Sequence, residues 1–189
     1  MLIKKQKEYF ELRIESLRIL GRWAADCAER ALPIYEELNG DDPRPRDAIN
    51  GIRVFANGGK RIAKLRVLAL DAYRASLETE DPAASAAAQA ASLAAAAAYT
   101  HPLVDVQQTK HILGSAAYAA LAVEIKNNND PKYGEDEVRL AVDRVQNEIC
   151  EILLKMPGRE EGTSRLDKIM FDLDIGLRNK YGGGPEGEE

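Results

Sequence analysis

Apolar residues recur in threes and fours along almost the whole chain, the spacing of helices that bury one face. Phe10, Ile14, Leu17, Leu20, Ala24, Cys27, Ala28 and Ala31 form the first such stripe, edged by Arg13, Glu15, Arg18, Arg22 and Arg30. This predicts a helix from about Lys5 to Leu38. Pro33 lacks the amide hydrogen that closes a helical turn, so it is expected to kink or split that helix. Asn39-Gly40 then stops it. Asp41 and Asp42 ahead of Pro43 and Pro45 carry the capping chemistry of a helix start, and a helix from about Pro45 to Ala56 turns Ala48, Ile52 and Phe55 inward. After the Asn57-Gly58-Gly59 break, a helix from about Lys60 to Glu78 is expected to bury Ile62, Leu65, Ala69, Ala72 and Tyr73.

Asp81-Pro82 starts the next helix, whose body from Ala83 to Tyr99 is mostly alanine. Strong helix propensity and a clear cap favour a packed central helix over a flexible tract, with Leu93 and Tyr99 as its bulky anchors. The Thr100-His101-Pro102 step ends it. A helix from about Val104 to Lys126 follows, then the linker Asn127-Asn128-Asn129-Asp130-Pro131. Val138, Val142, Val145, Ile149, Ile152 and Leu153 make a narrow seam like that of a coiled coil, broken by Pro157-Gly158, and a last helix runs from about Ser164 to Asn179. No stretch alternates with period two. The fold class is all-α, a single bundle of about seven or eight helices with a C-terminal two-helix extension. The divisions expected are 1–130 for the main helical domain, 131–181 for the extension packed on it, and 182–189 for a disordered tail.

Charge narrows the partners. The net charge of −5 lacks the basic face that displaces counterions from phosphates. The basic residues read as interleaved with acids from Arg61 to Arg74 and from Arg139 to Lys155, so no nucleic-acid partner is expected. A mildly acidic surface fits a basic protein partner, and exposed acids and aromatics such as Tyr35, Glu36, Glu37, Tyr133 and Glu135 are the expected contact surface. No window has the length and apolarity of a membrane span, and the charged stretch at the N-terminus has no apolar signal core. Cytoplasm is the default, with no membrane partner. The two cysteines, Cys27 and Cys150, lie in apolar helical runs without disulfide or metal spacing.

Little in the chain demands a reaction. His101 and His111 can face each other across the Pro102 turn, with Asp26, Asp105 or Cys27 as companions, but their spacing matches no metal motif. A helix-end histidine and a hydrogen-bonded core histidine is the favoured reading, and no cofactor is expected. Cys27 with a histidine base is the other candidate; a buried thiol beside Asp26 is inert. In the Asp42-Pro43-Arg44-Pro45-Arg46 turn, two proline-fixed arginines either read an anion bidentately or turn back onto Asp26 to pin the turn to the first helix.

Taken in order, Trp23-Ala24-Ala25-Asp26-Cys27-Ala28-Glu29-Arg30, then Asp41-Asp42-Pro43-Arg44-Pro45-Arg46, then His111, Gly114, Ala116, Ala117, Tyr118 and Ala119 resemble a known family. It is the immunity-type-five-like helical domain of bacterial polymorphic toxin systems, and the resemblance covers about Leu17 to Glu124. It implies a non-enzymatic protein that binds and neutralises a toxin, with Trp23, Asp26, Cys27, Asp42, Arg44, Arg46, His101, His111 and Tyr118 as its motif positions, structural or binding. Two alternatives stand beside it. One is a ligand- or metal-binding, enzyme-like domain with a site near Asp26, Arg44, Arg46, His101 and His111. The other is a structural oligomer, a homodimer for instance, built on the Val138 to Leu153 seam.

Overall fold

The computed structural model describes residues 7–182. Its α-helices are α1 (Ile14–Leu38), α2 (Arg44–Ala56), α3 (Ala63–Glu78), α4 (Pro82–Ala96), α5 (Thr109–Lys126), α6 (Pro131–Asp143), α7 (Asn147–Leu154) and α8 (Arg165–Gly182), with single 3-10 turns at Ala97–Tyr99 and Val106–Gln108. The described residues hold no strand, only an isolated antiparallel bridge between Tyr9 and Leu103. The all-α expectation holds.

The alanine-rich α4 is the centre, packed against α1, α2, α3 and α5. It is apolar on nearly every side, as a helix enclosed by others must be, and Ala84, Ala87, Ala88, Ala90, Ala91, Ala94 and Ala95 are all fully buried. Methyl-sized side chains let the neighbouring backbones approach closely enough for serines to bridge them. Ser92 Oγ donates to the Ala69 carbonyl at 2.7 Å and Ser115 Oγ to the Ala24 carbonyl at 2.8 Å. At Gly114 an added Cβ would lie 2.8 Å from Leu93 Cδ1, so α4 and α5 meet closely there. Asp81 caps α4 by accepting from Ala84 N, with Pro82 in the first turn.

The chain departs from its pattern where tertiary contacts decide. The first helix starts at Ile14, because the segment before it pairs with the loop after α4: Phe10 N donates to the Pro102 carbonyl and Val104 N to the Glu8 carbonyl. Pro33 neither splits nor ends α1. It faces solvent, so the carbonyl one turn back keeps access to water. The expected seam is two helices rather than one. α6 stops at Asp143 and α7 begins at Asn147, with Lys180 Nζ donating to the carbonyls of Val142 (2.8 Å) and Asp143 (2.6 Å) in place of the missing helical turn. This lets Val145, Ile149, Ile152 and Leu153 turn into the chain's own interior, where they are unavailable to a second copy. The stretch after Pro131 therefore holds three helices, and it shares one apolar core with α1 to α5.

Asn128 and Asn129 adopt positive φ, and Asn129 N donates to the Glu124 carbonyl, closing α5 before Asp130 caps α6. Ile62 and Tyr73, expected inside, are exposed. Gly182 ends α8, and the rest of the expected disordered tail, 183–189, lies outside the described residues, as do Lys5 and Gln6 of the expected first helix.

Candidate functional site

The sequence motifs fold into two places of opposite character. The first is the α1–α2 corner, where Trp23, Asp26, Asp42, Arg44 and Arg46 of the motifs all find partners. Trp23, 4% exposed, donates its indole N–H to the Ala141 carbonyl at 3.0 Å and ties α1 to α6. Cys27 is buried beside it. Loss of hydration pushes its thiol up to about 12, against the lowering effect of Arg30, so it is no nucleophile at neutral pH. Arg30 Nε donates to Glu137 at 2.7 Å, a second α1–α6 tie. Asp26 is paired, but with Arg53 of α2 at 2.9 Å rather than with Arg44 or Arg46. Arg53 also reaches Glu29.

Asp42 organises the Pro-Arg-Pro-Arg turn. Its carboxylate accepts from Tyr35 Oη (2.6 Å), from the Arg44 backbone N–H (3.1 Å) and from Arg44 Nη2 (2.6 Å), which also donates to Glu78 of α3 at 2.6 Å. Arg44 above all, and Tyr35 with it, hold the Asp42 carboxyl down at about 2. Arg46 makes a two-pronged bridge to Glu36 of α1 at 2.5 and 2.7 Å. Tyr35, expected on the outside, is 1% exposed, because its hydroxyl is the inner partner of Asp42. Of the other expected contact residues, Glu36 and Glu37 are engaged by Arg46 and Lys126, whereas Tyr133 and Glu135 are exposed.

The second place is open. Arg66, Leu70, Tyr73 and Leu77 recur along one side of α3, and the last three are 48%, 41% and 64% exposed. Beside them a groove of about 440 Å³ is lined by Arg66, Ala69, Leu70, Tyr73, Ser92, Ala96, Tyr99, His101 and His111. Arg66 lies over the Tyr99 ring at 4.2 Å, with Arg61 on the ring at 5.5 Å. Tyr99 Oη donates to the Ile62 carbonyl at 2.7 Å and so fixes the ring. His111, in the first turn of α5, keeps a buried Nδ1 that has no hydrogen-bond partner among the described residues. Burial first, then the charges of His101 and Lys110, lowers its pKa below the usual imidazole value. The histidines thus come together, while Asp42 and Arg44 line a separate surface depression with Leu38 to Pro43.

Tyr118 lies half-buried on α5, its hydroxyl pKa raised by burial and then by Tyr73 and Asp167. Among the described residues no three His, Cys, Asp or Glu side chains come close enough to hold a metal ion. On the other side of α3 an apolar groove of about 420 Å³ runs along α2 over Gly51, Val54, Ile62, Leu65 and Leu68, with Lys60, Lys64 and Asp47 among the residues lining it.

Sequence reasoning missed Arg66, Leu70, Tyr73, Tyr99, Lys60 and Lys64. A signal was present: α3 carries more apolar positions than one buried face needs, and from Ala48 to Leu70 the chain has five basic residues and no acid. That acid-free run covers the first part of the stretch from Arg61 to Arg74, in which the acid, Asp71, comes after Leu70 and pairs with Arg74. No helix of the described residues is long and apolar enough to cross a membrane.

A family model described as an Imm-5 like putative immunity protein matches residues 11–151. The match passes Glu124, where the resemblance read from the motifs ended, and includes α6, the helix that Trp23 and Arg30 hold. No curated protein and no solved structure matches the chain.

Proposed function

The chain belongs to this Imm-5 like family, and from that premise we propose that it binds a protein toxin and neutralises it by covering a functional surface, without catalysing a reaction, in the cytoplasm of a bacterium. The family match over residues 11–151 carries this reading. Two features of the molecule support it. The polar motif residues of α1 and α2 are consumed in pairs that brace helices, which leaves no free nucleophile or general base among them. The α3 face offers what a protein interface uses instead, namely exposed Leu70, Tyr73 and Leu77 on a rigid helix. A stable complex buries about 800 Å² on each partner, and the α3 face with its two flanking grooves is the surface put forward for it.

Co-expression with the toxins encoded beside its gene tests the reading. One of them should become tolerated and should co-purify in a fixed ratio with this chain, and the exposed substitution Leu77→Asp should abolish both effects. Failure to protect against every such toxin, or protection accompanied by covalent change in the toxin, contradicts it.

A further inference from the structure

The arginines of this protein are mostly spoken for: Arg30, Arg44, Arg46, Arg53, Arg165 and Arg178 all sit on carboxylates. Arg66 makes no ion pair among the described residues. Its guanidinium is held over the Tyr99 ring at the groove of His101 and His111, and none of the residues lining that groove is an acid. A buried polar atom without a partner requires an explanation, and His111, which lines the same groove, keeps such an atom at Nδ1 among the described residues. Resting on the partner-binding reading above, the geometry points to a carboxylate subsite: a Glu or Asp side chain of the protein partner seats on Arg66 between His101 and His111, with its apolar neighbours on Leu70 and Tyr73.

Each part of that assignment follows from a lining group. The planar guanidinium matches a carboxylate fork, and the Tyr99 ring beneath it fixes the plane in advance, so little side-chain freedom is lost on binding. Among the described residues Arg66 is the one permanently charged side chain lining the groove, since Arg61 on the same ring lies outside the lining and donates to the Ala98 carbonyl. One such charge matches a single carboxylate better than a phosphate dianion. Leu70 and Tyr73 on the same face of α3 call for an apolar body around the acid. A volume of about 440 Å³ accommodates one side chain with its flanking residues. The partner surface is therefore acidic and apolar at this point, although the protein itself carries a net charge of −5.

The experiment follows the His101 and His111 imidazole resonances of the full chain by NMR while acetyl-Leu-Glu-Leu-amide is added, in parallel with its Gln counterpart and with inorganic phosphate. The glutamate peptide should shift both imidazoles saturably and at least tenfold more tightly than the glutamine peptide. Arg66→Gln and His101→Asn should each weaken it tenfold or more, while Arg139→Gln on α6 leaves it unchanged. Because Arg66→Gln also removes the stack on Tyr99, the exposed His101 variant serves as the check that needs no buried change. Equal binding of the two peptides, no saturable shift, or phosphate binding as tightly as the glutamate peptide overturns the assignment. Toxin protection surviving in both variants also overturns it while sparing the partner-binding reading. Peptide binding in a chain that protects against no toxin leaves the subsite standing and removes that reading instead.

Discussion

The α1–α2 corner and the α3 groove both combine arginine, tyrosine and a second titratable group, yet they are built to opposite ends. At the corner, Tyr35, Asp42, Arg44 and Glu78 form a closed chain in which each donor meets an acceptor. At the groove, Arg66 stacks on Tyr99 beside His111, and among the described residues the guanidinium has no counter-ion and the imidazole Nδ1 no partner. The difference shows why residue type alone is a poor guide to function. Arginine in a proline-rich turn is the conspicuous feature of the sequence and serves to hold α1, α2 and α3 together. Arg66, unremarked in an ordinary helix, meets no carboxylate among the described residues.

The comparison predicts that closed pairs govern stability and the open edge does not. The largest effect is expected where a deeply enclosed carboxylate rests on a single arginine. Glu124 is 4% exposed and takes both prongs of Arg165 at 2.7 to 3.0 Å, fastening α8 to α5. Arg165→Ala leaves that charge without its counter-ion and should cost about 3 kcal/mol in denaturant unfolding; a loss within experimental error would mean that the bridge is not part of the native brace.

Asp42→Ala comes next. It strands the Tyr35 hydroxyl inside and leaves Arg44 with Glu78 alone, and should cost about 2 kcal/mol. The same pairing sets an acid dependence. Because the folded value of Asp42 lies near 2, below its ordinary 3.8, its contribution is complete above that ordinary value and disappears as pH falls towards 2. Thermal melting followed from pH 5 to 2 should decline less steeply in Asp42→Ala than in the parent chain, and parallel curves would break the point.

His111 gives a smaller effect in a different window. Its folded pKa lies below 6.5, so the unfolded chain takes up the proton first. The stabilising contribution is present above 6.5 and is lost as pH falls below it. His111→Gln should flatten the melting profile there. The smallest effect on stability belongs to the α3 edge, where Leu77→Asp, at a position 64% exposed, should change the unfolding free energy by less than about 0.5 kcal/mol.

How far the sequence carries the reader differs between the two places in the same way. Helix number and most boundaries were legible because they are set locally, by Asp81-Pro82, Asn57-Gly58 and Asp130-Pro131. The split between α6 and α7 was not, since no glycine or proline marks it and the lysine that stabilises it arrives from α8. The motif residues were visible as a group, but their partners were not: Asp26 meets Arg53, and Tyr35 turns inward to Asp42. The groove was legible only in part. His101 and His111 stood out as rare residues, whereas the α3 stripe looked like one more amphipathic face and the helix proved to have apolar residues to spare.

The central claim is that the motif residues brace the bundle and the α3 edge does the binding. Affinity for the protected-against toxin, measured by calorimetry on the Tyr73→Asp/Leu77→Asp chain with its melting temperature recorded alongside, tests this most directly. A hundredfold or greater loss of affinity with melting essentially unchanged is the expected result. Undiminished affinity in that variant, with binding instead abolished by Arg46→Gln in a chain of unaltered stability, would contradict it.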